Sequence, residues 1–135
     1  MLPIVLCAAL LSCGQASVSI AGDDCGQSQA PVERRACLEA LMAKTGREVE
    51  RVEGQLRSRI TLWARDSADI RESLALFEQD RVAYRAYRQA HCALEASSAV
   101  GSNDASDTRI ACEAGLDRGW IETIEGALER FELGD

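Results

Sequence analysis

The feature that most constrains this chain is the recurrence of apolar residues at steps of three and four along most of its length after Pro31. Such spacing places the apolar side chains on one face of an α-helix. The sequence contains no run of alternating apolar and polar residues and no Asn-Gly turn, which are the signals of strands and hairpins. The sequence therefore predicts an all-α fold.

The apolar stripes divide the chain into three predicted helices. The first begins near Pro31, a residue that is tolerated in a first helical turn, and its stripe continues to Trp63. The second begins at the capping residues 66–69 and ends near Glu95. A loop rich in Ser, Gly, Asn and Asp is predicted over residues 96–108, and the third helix follows it. Three helices with one apolar stripe each predict an up-down-up bundle.

The N-terminal segment predicts export. Residues 1–21 carry no charged side chain, and their apolar run is shorter than the ~20 residues that span a bilayer. A short apolar core followed by small residues is typical of a signal peptide. We expect residues 1–21 to be this signal and residues 22–135 to be the mature domain. The alternatives are an uncleaved N-terminus and a lipoprotein signal over residues 1–12, with lipidation of Cys13.

Four cysteines follow the predicted leader: Cys25, Cys37, Cys92 and Cys112. An even number of cysteines in a small exported domain predicts two disulfides and a periplasmic or secreted location. Three pairings are open. We favour the local pairs, Cys25 with Cys37 and Cys92 with Cys112, each of which removes about 3 kcal/mol of unfolded-state entropy. Membrane attachment is expected only through the alternative lipid anchor.

Composition disfavours several classes of function. The chain has 22 acidic and 15 basic residues, a net charge of −7, whereas nucleic-acid binding relies on clustered Lys and Arg. The only histidine, His91, adjoins Cys92, but adjacent helical side chains diverge by about 100° and do not form a Cys-His pair. The cysteine spacings fit no zinc motif. We expect no catalytic residue, metal or cofactor, and we interpret interleaved charges such as Glu53 and Arg57 as a solvated face.

One stretch goes beyond general helical periodicity. Residues 78–92 read EQDRVAYRAYRQAHC, and Gly101-Ser102, Cys112 and Arg118 follow. With the upstream cysteine pair, this pattern resembles the lysozyme-inhibitor LprI-like N-terminal domain family of bacterial envelope proteins, over residues 25–130. That family shows an early cysteine pair, a helix of the form A-Q-x-x-W-x-x-Y-R-D-A-x-C, a Gly-Ser loop and a last helix opened by cysteine. The departures here are Arg81 for Gln, Tyr84 for Trp and Gln89 for Asp.

The resemblance implies an exported, non-enzymatic protein that inhibits a lysozyme. Its signature residues are expected to hold the fold rather than contact a ligand, and they are Tyr84, Tyr87, Arg88 and Arg118. A negatively charged domain is steered toward a basic partner such as a lysozyme. The predicted partner-binding loop contains Gly101, Ser102, Asn103 and Asp104, with the acidic third helix beside it. The alternative is an envelope structural or stress-related accessory domain without an enzyme target.

Overall fold

The computed structural model describes residues 25–26, 30–63, 66–99 and 104–132. They form three helices, α1 (Pro31–Trp63), α2 (Ser67–Ser97) and α3 (Asp104–Glu132), and the described part of the chain contains no strand. The predicted all-α three-helix bundle is thereby confirmed. The predicted leader, including Cys13, lies outside the described residues.

The starts of α1 and α2 follow from local chemistry. Pro31 opens α1 without the loss of a hydrogen bond, because the first N–H groups of a helix have no partner within it. Asp66 caps α2, since its Oδ1 accepts from the backbone N–H of Ala68 at 2.8 Å and of Asp69 at 2.9 Å. Both helix starts therefore lie where the sequence predicts them.

The connection between α2 and α3 is shorter than predicted. Ala96 and Ser97 still belong to α2, and α3 already begins at Asp104 rather than after Thr108. Asp104 and Asp107 occupy the first turn of α3, where negative charge is stabilised by the positive end of the helix dipole. Part of the polar segment that is predicted to be a loop therefore forms the N-terminal turn of α3.

The apolar core lies where all three helices meet. It contains six buried residues: Val52, Leu56 and Ile60 of α1, Phe77 of α2, and Trp120 and Ile124 of α3. Helix α3 packs along both other helices, whereas α1 and α2 contact each other little. Because α2 is held mainly by α3, much of its surface faces away from the bundle.

Two disulfides staple the bundle, and they confirm the favoured local pairing. Cys25 and Cys37 join the segment before α1 to its second turn, with a Cα–Cα distance of 5.7 Å. Cys92 and Cys112 join α2 to α3 at a Cα–Cα distance of 5.6 Å. Both distances lie in the usual range for disulfides, which are typical of proteins from oxidising compartments. None of the helices in the described ranges is long and apolar enough to cross a membrane.

Candidate functional site

The described residues place four carboxylates inside the bundle rather than on its surface. They are Glu53, Asp107, Glu113 and Asp117, each at most 7% exposed. The prediction that Glu53 belongs to a solvated face is therefore wrong. Each of them binds at least one arginine, which is how proteins accommodate buried charge.

Glu53 anchors α1 to both other helices. Arg81 of α2 donates from Nε to Glu53 Oε2 at 2.7 Å, and Trp120 of α3 donates from Nε1 to Glu53 Oε1 at 3.0 Å. Both carboxylate oxygens thus accept hydrogen bonds, which compensates for the burial of the Glu53 side chain, only 3% of which is exposed. Arg81 also donates from Nη1 to Glu78 at 2.5 Å. The guanidinium of Arg81 lies over the ring of Phe77, 6.0 Å from its centroid.

A second cluster joins α2 to α3 one turn further along. The Tyr84 hydroxyl donates to Asp117 Oδ1 at 2.6 Å, and Arg88 Nη2 donates to Asp117 Oδ2 at 3.1 Å. Arg88 Nη2 also lies 3.2 Å from Glu113 Oε2. The Nε atom of Arg88 lies 2.8 Å from Asp117 Oδ1, but it forms no well-directed hydrogen bond. Arg88 therefore pairs with two side-chain carboxylates of α3.

Tyr84 is held as a proton donor. Its ring stacks on that of Trp120 with centroids 4.5 Å apart and an interplanar angle of 4°. Burial raises the pKa of Tyr84, and the hydrogen bond to Asp117 raises it further. The phenol therefore stays neutral in the folded protein and serves the packing between α2 and α3.

A third cluster lies at the N-terminal ends of α1 and α3. Arg34 Nε donates to Asp107 Oδ2 at 3.2 Å, and its Nη2 pairs with Asp104 at 2.7 Å. Arg35 also binds Asp107. The hydrogen bonds to Asp104 and then Asp107 raise the pKa of Arg34. This cluster stabilises the start of α3.

The remaining predicted site residues are dispersed. Tyr87 is 55% exposed, and its ring stacks on that of His91 at a centroid distance of 5.3 Å. Arg118 lies on α3 and is partly buried. Asp104 belongs to α3 rather than to a loop. Gly101, Ser102 and Asn103 lie outside the described residues.

Three exposed acids in the C-terminal half of α3 form a separate surface, which we call the acidic face: Glu122, Glu125 and Glu129. Their spacing of three and four residues places them on one side of the helix. Arg51 of α1 approaches Glu125 at 3.6 Å, but it also binds Glu48 at 2.5 Å. The hydrogen bond from Arg51 lowers the pKa of Glu48. Arg51 therefore divides its contacts between the acidic face and Glu48.

The chemistry available to these clusters is limited by their mutual pairing. Within the described ranges, no three His, Cys, Asp or Glu side chains form a group that could hold a metal ion. His91 and Cys92 do not form a dyad, because Cys92 is in a disulfide. The buried carboxylates already bind arginines, so they fix the helices relative to one another.

Comparisons with family models, curated proteins and solved structures return no match for this chain. Fold and site define its class by themselves: a disulfide-stapled bundle of three long helices with arginine–carboxylate pairs in its interior. The resemblance to the LprI-like family stays a prediction.

Proposed function

We propose that this protein is an exported, non-enzymatic binding protein that recognises a basic protein, of which a lysozyme is the expected example, through the acidic face of α3. The observation that carries the proposal is the grouping of three exposed carboxylates on one side of a disulfide-anchored helix. The sequence resemblance supplies the expectation of a lysozyme. The two disulfides support an oxidising compartment.

The internal ion pairs leave the excess negative charge to the rest of the chain. Arg34, Arg81 and Arg88 pair with carboxylates inside the bundle, and their side chains are 11–23% exposed. Because the buried carboxylates balance these cations, the net charge of −7 is carried by the remaining residues. A surface of one sign accelerates the encounter with a partner of opposite sign.

The acidic face is presented on a rigid support. The Cys92–Cys112 disulfide and the Arg34–Asp104 pair hold the N-terminal part of α3. Trp120 and Ile124 bury the inner side of the same helix. A preorganised surface loses less conformational entropy when it binds, so more of its interaction energy appears as affinity.

The proposal is tested with the mature protein in a lysis assay. We expect micromolar protein to slow cell-wall lysis by at least one of the c-type, g-type and i-type lysozymes. The triple variant Glu122→Gln, Glu125→Gln and Glu129→Gln is expected to slow association by about tenfold at low salt, with a smaller change in dissociation. The matched control neutralises three exposed acids of α1 and α2 instead, Glu33, Glu39 and Glu72.

Two results contradict the proposal. If no lysozyme class is slowed, the lysozyme partner is wrong, and the accessory-domain alternative takes its place. If the control triple variant slows association as much as the α3 triple variant, binding depends on net charge alone and the acidic face is not the contact surface.

A further inference from the structure

Helix α2 turns two of its arginines inward and leaves several of its large apolar side chains exposed. Only Phe77 and Cys92 of α2 are buried, while Arg81 and Arg88 bind carboxylates inside the bundle. Four large apolar residues of α2 are exposed, Leu76 60%, Val82 60%, Tyr87 55% and Leu94 67%, and all but Val82 lie along one side of the helix. Large apolar side chains exposed along one side of a helix mark a candidate contact surface.

The exposed residues follow the spacing of a coiled coil. We call them the outer stripe: Leu76, Asp80, Ala83, Tyr87, Ala90 and Leu94. Steps of four and three alternate along this set, as between the a and d positions of a heptad repeat. Asp80 is the one charged member. Arg85 and Arg88 lie on the opposite side of α2, since they approach Glu53 at 3.8 Å and Asp117 at 2.8 Å.

We propose that the outer stripe of α2 pairs antiparallel with the outer stripe of a second copy of this chain, in a two-fold symmetric dimer. The two-fold axis passes near the level of Arg85. Leu76 then faces Leu94 of the second copy, and Ala83 faces Tyr87 of the second copy. Each contact occurs twice, as a two-fold interface requires.

The stripe complements itself in size and in charge. The large Tyr87 ring meets the small Ala83, and the leucines at the two ends meet each other. Asp80 lies opposite Ala90 of the second copy, beside its His91, whose imidazole can donate to the carboxylate. The stacking of His91 on Tyr87 holds that imidazole at the edge of the stripe. A parallel pairing instead opposes Asp80 to Asp80 and Tyr87 to Tyr87, which is unfavourable in charge and in packing.

The dimer is expected to be weak. The stripe from Leu76 to Leu94 is about 27 Å long, which makes the interface smaller than a standard protein–protein interface. We therefore expect monomer and dimer to exchange in the micromolar range, with the dimer dominant at high concentration. A concentration series measured by sedimentation equilibrium distinguishes this behaviour from a fixed oligomer.

The main test compares two single substitutions in the disulfide-bonded mature chain. Ala83→Glu places a carboxylate opposite Tyr87 in the centre of the interface, and we expect it to raise the dissociation constant by at least about 100-fold. Gln89→Glu introduces the same charge on the same exposed helix but outside the stripe, and we expect a change of less than about threefold. Circular dichroism verifies that both variants remain helical.

The register is tested by placing a charge pair of opposite polarity at positions 80 and 91. Asp80→Lys alone and His91→Glu alone are each expected to weaken the dimer by about five- to tenfold, and the two together to restore it, because the pair forms between copies. A parent protein that stays monomeric at every concentration overturns the proposal. So does a dimer that survives Ala83→Glu, or weakened single variants that the combination fails to rescue.

Discussion

The buried carboxylate of Glu53 offers the sharpest test of how this bundle is held together. We consider the substitution Glu53→Gln, which keeps the size of the side chain and removes its charge. The Glu53 side chain is 3% exposed and accepts hydrogen bonds from Arg81 at 2.7 Å and Trp120 at 3.0 Å. After the change, an amide NH₂ group must face one of these two donors.

The magnitude follows from what remains around Arg81. Removal of one partner of a buried ion pair costs about 3–5 kcal/mol, because the other charge is left without compensation. Arg81, however, keeps its contact with Glu78 at 2.5 Å. We therefore expect Glu53→Gln to lower the free energy of unfolding by about 2–3 kcal/mol, which also matches the loss of a charged hydrogen bond.

Urea unfolding with both disulfides intact measures this free energy, and the fluorescence of the buried Trp120 reports the transition. Glu50→Gln is the matched control, since Glu50 is exposed on the same helix, and it is expected to change the free energy by less than about 0.5 kcal/mol. A double-mutant cycle with Arg81→Gln is expected to show a coupling of about 1 kcal/mol or more. If Glu53→Gln unfolds with the same free energy as the parent, Glu53 does not anchor the three helices.

Two further predictions concern α1 and Tyr84. Gly46→Ala and Gly54→Ala add a methyl group with no neighbouring atom within 4 Å, so each is expected to raise the free energy of unfolding by about 0.5–1 kcal/mol in the same assay; a loss of stability contradicts the open packing at these glycines. Because the pKa of Tyr84 is raised in the folded state, its contribution to stability is complete below its ordinary pKa of 10.0 and is lost as the pH rises above that value. We expect a loss of up to about 1.4 kcal/mol per pH unit in unfolding measured above this pKa, and Tyr84→Phe should flatten that slope.

The sequence predicts the helices and the disulfide pairing because both depend on local information. Apolar spacing and the Asp66 cap define α1 and α2, and short loops favour local cysteine pairs. The sequence predicts the start of α3 too late in the chain, because acidic residues are common both in loops and in the first turn of a helix. The contacts of Arg34 with Asp104 and Asp107 favour the helix, and they are remote in sequence.

The burial of the carboxylates could not be predicted from each helix alone, although a signal was present. Arg81 and Arg88 already lie on the predicted inner stripe of α2, so a folded bundle must supply acids opposite them. Glu53 stands three residues before Leu56 and so continues the apolar stripe of α1. Asp117 stands in the same relation to Trp120 on α3. A charged residue at a position that continues an apolar stripe therefore indicates a buried ion pair rather than a solvated face.

These internal pairs have a consequence for the packing of α2. A purely apolar seam would leave the register of α2 on α3 to the Cys92–Cys112 disulfide alone, since one leucine-sized contact resembles the next. A displacement of α2 by one turn, about 5.4 Å, would break the pairing of Arg88 with Asp117, and the loss of one partner of a buried ion pair costs several kcal/mol. The same arginines occupy the inner side of α2, where other bundles place leucine. Register is therefore fixed by the disulfide together with charge inside the bundle, and the apolar residues of α2 that the core does not use are left outside, where the outer stripe can bind a second copy.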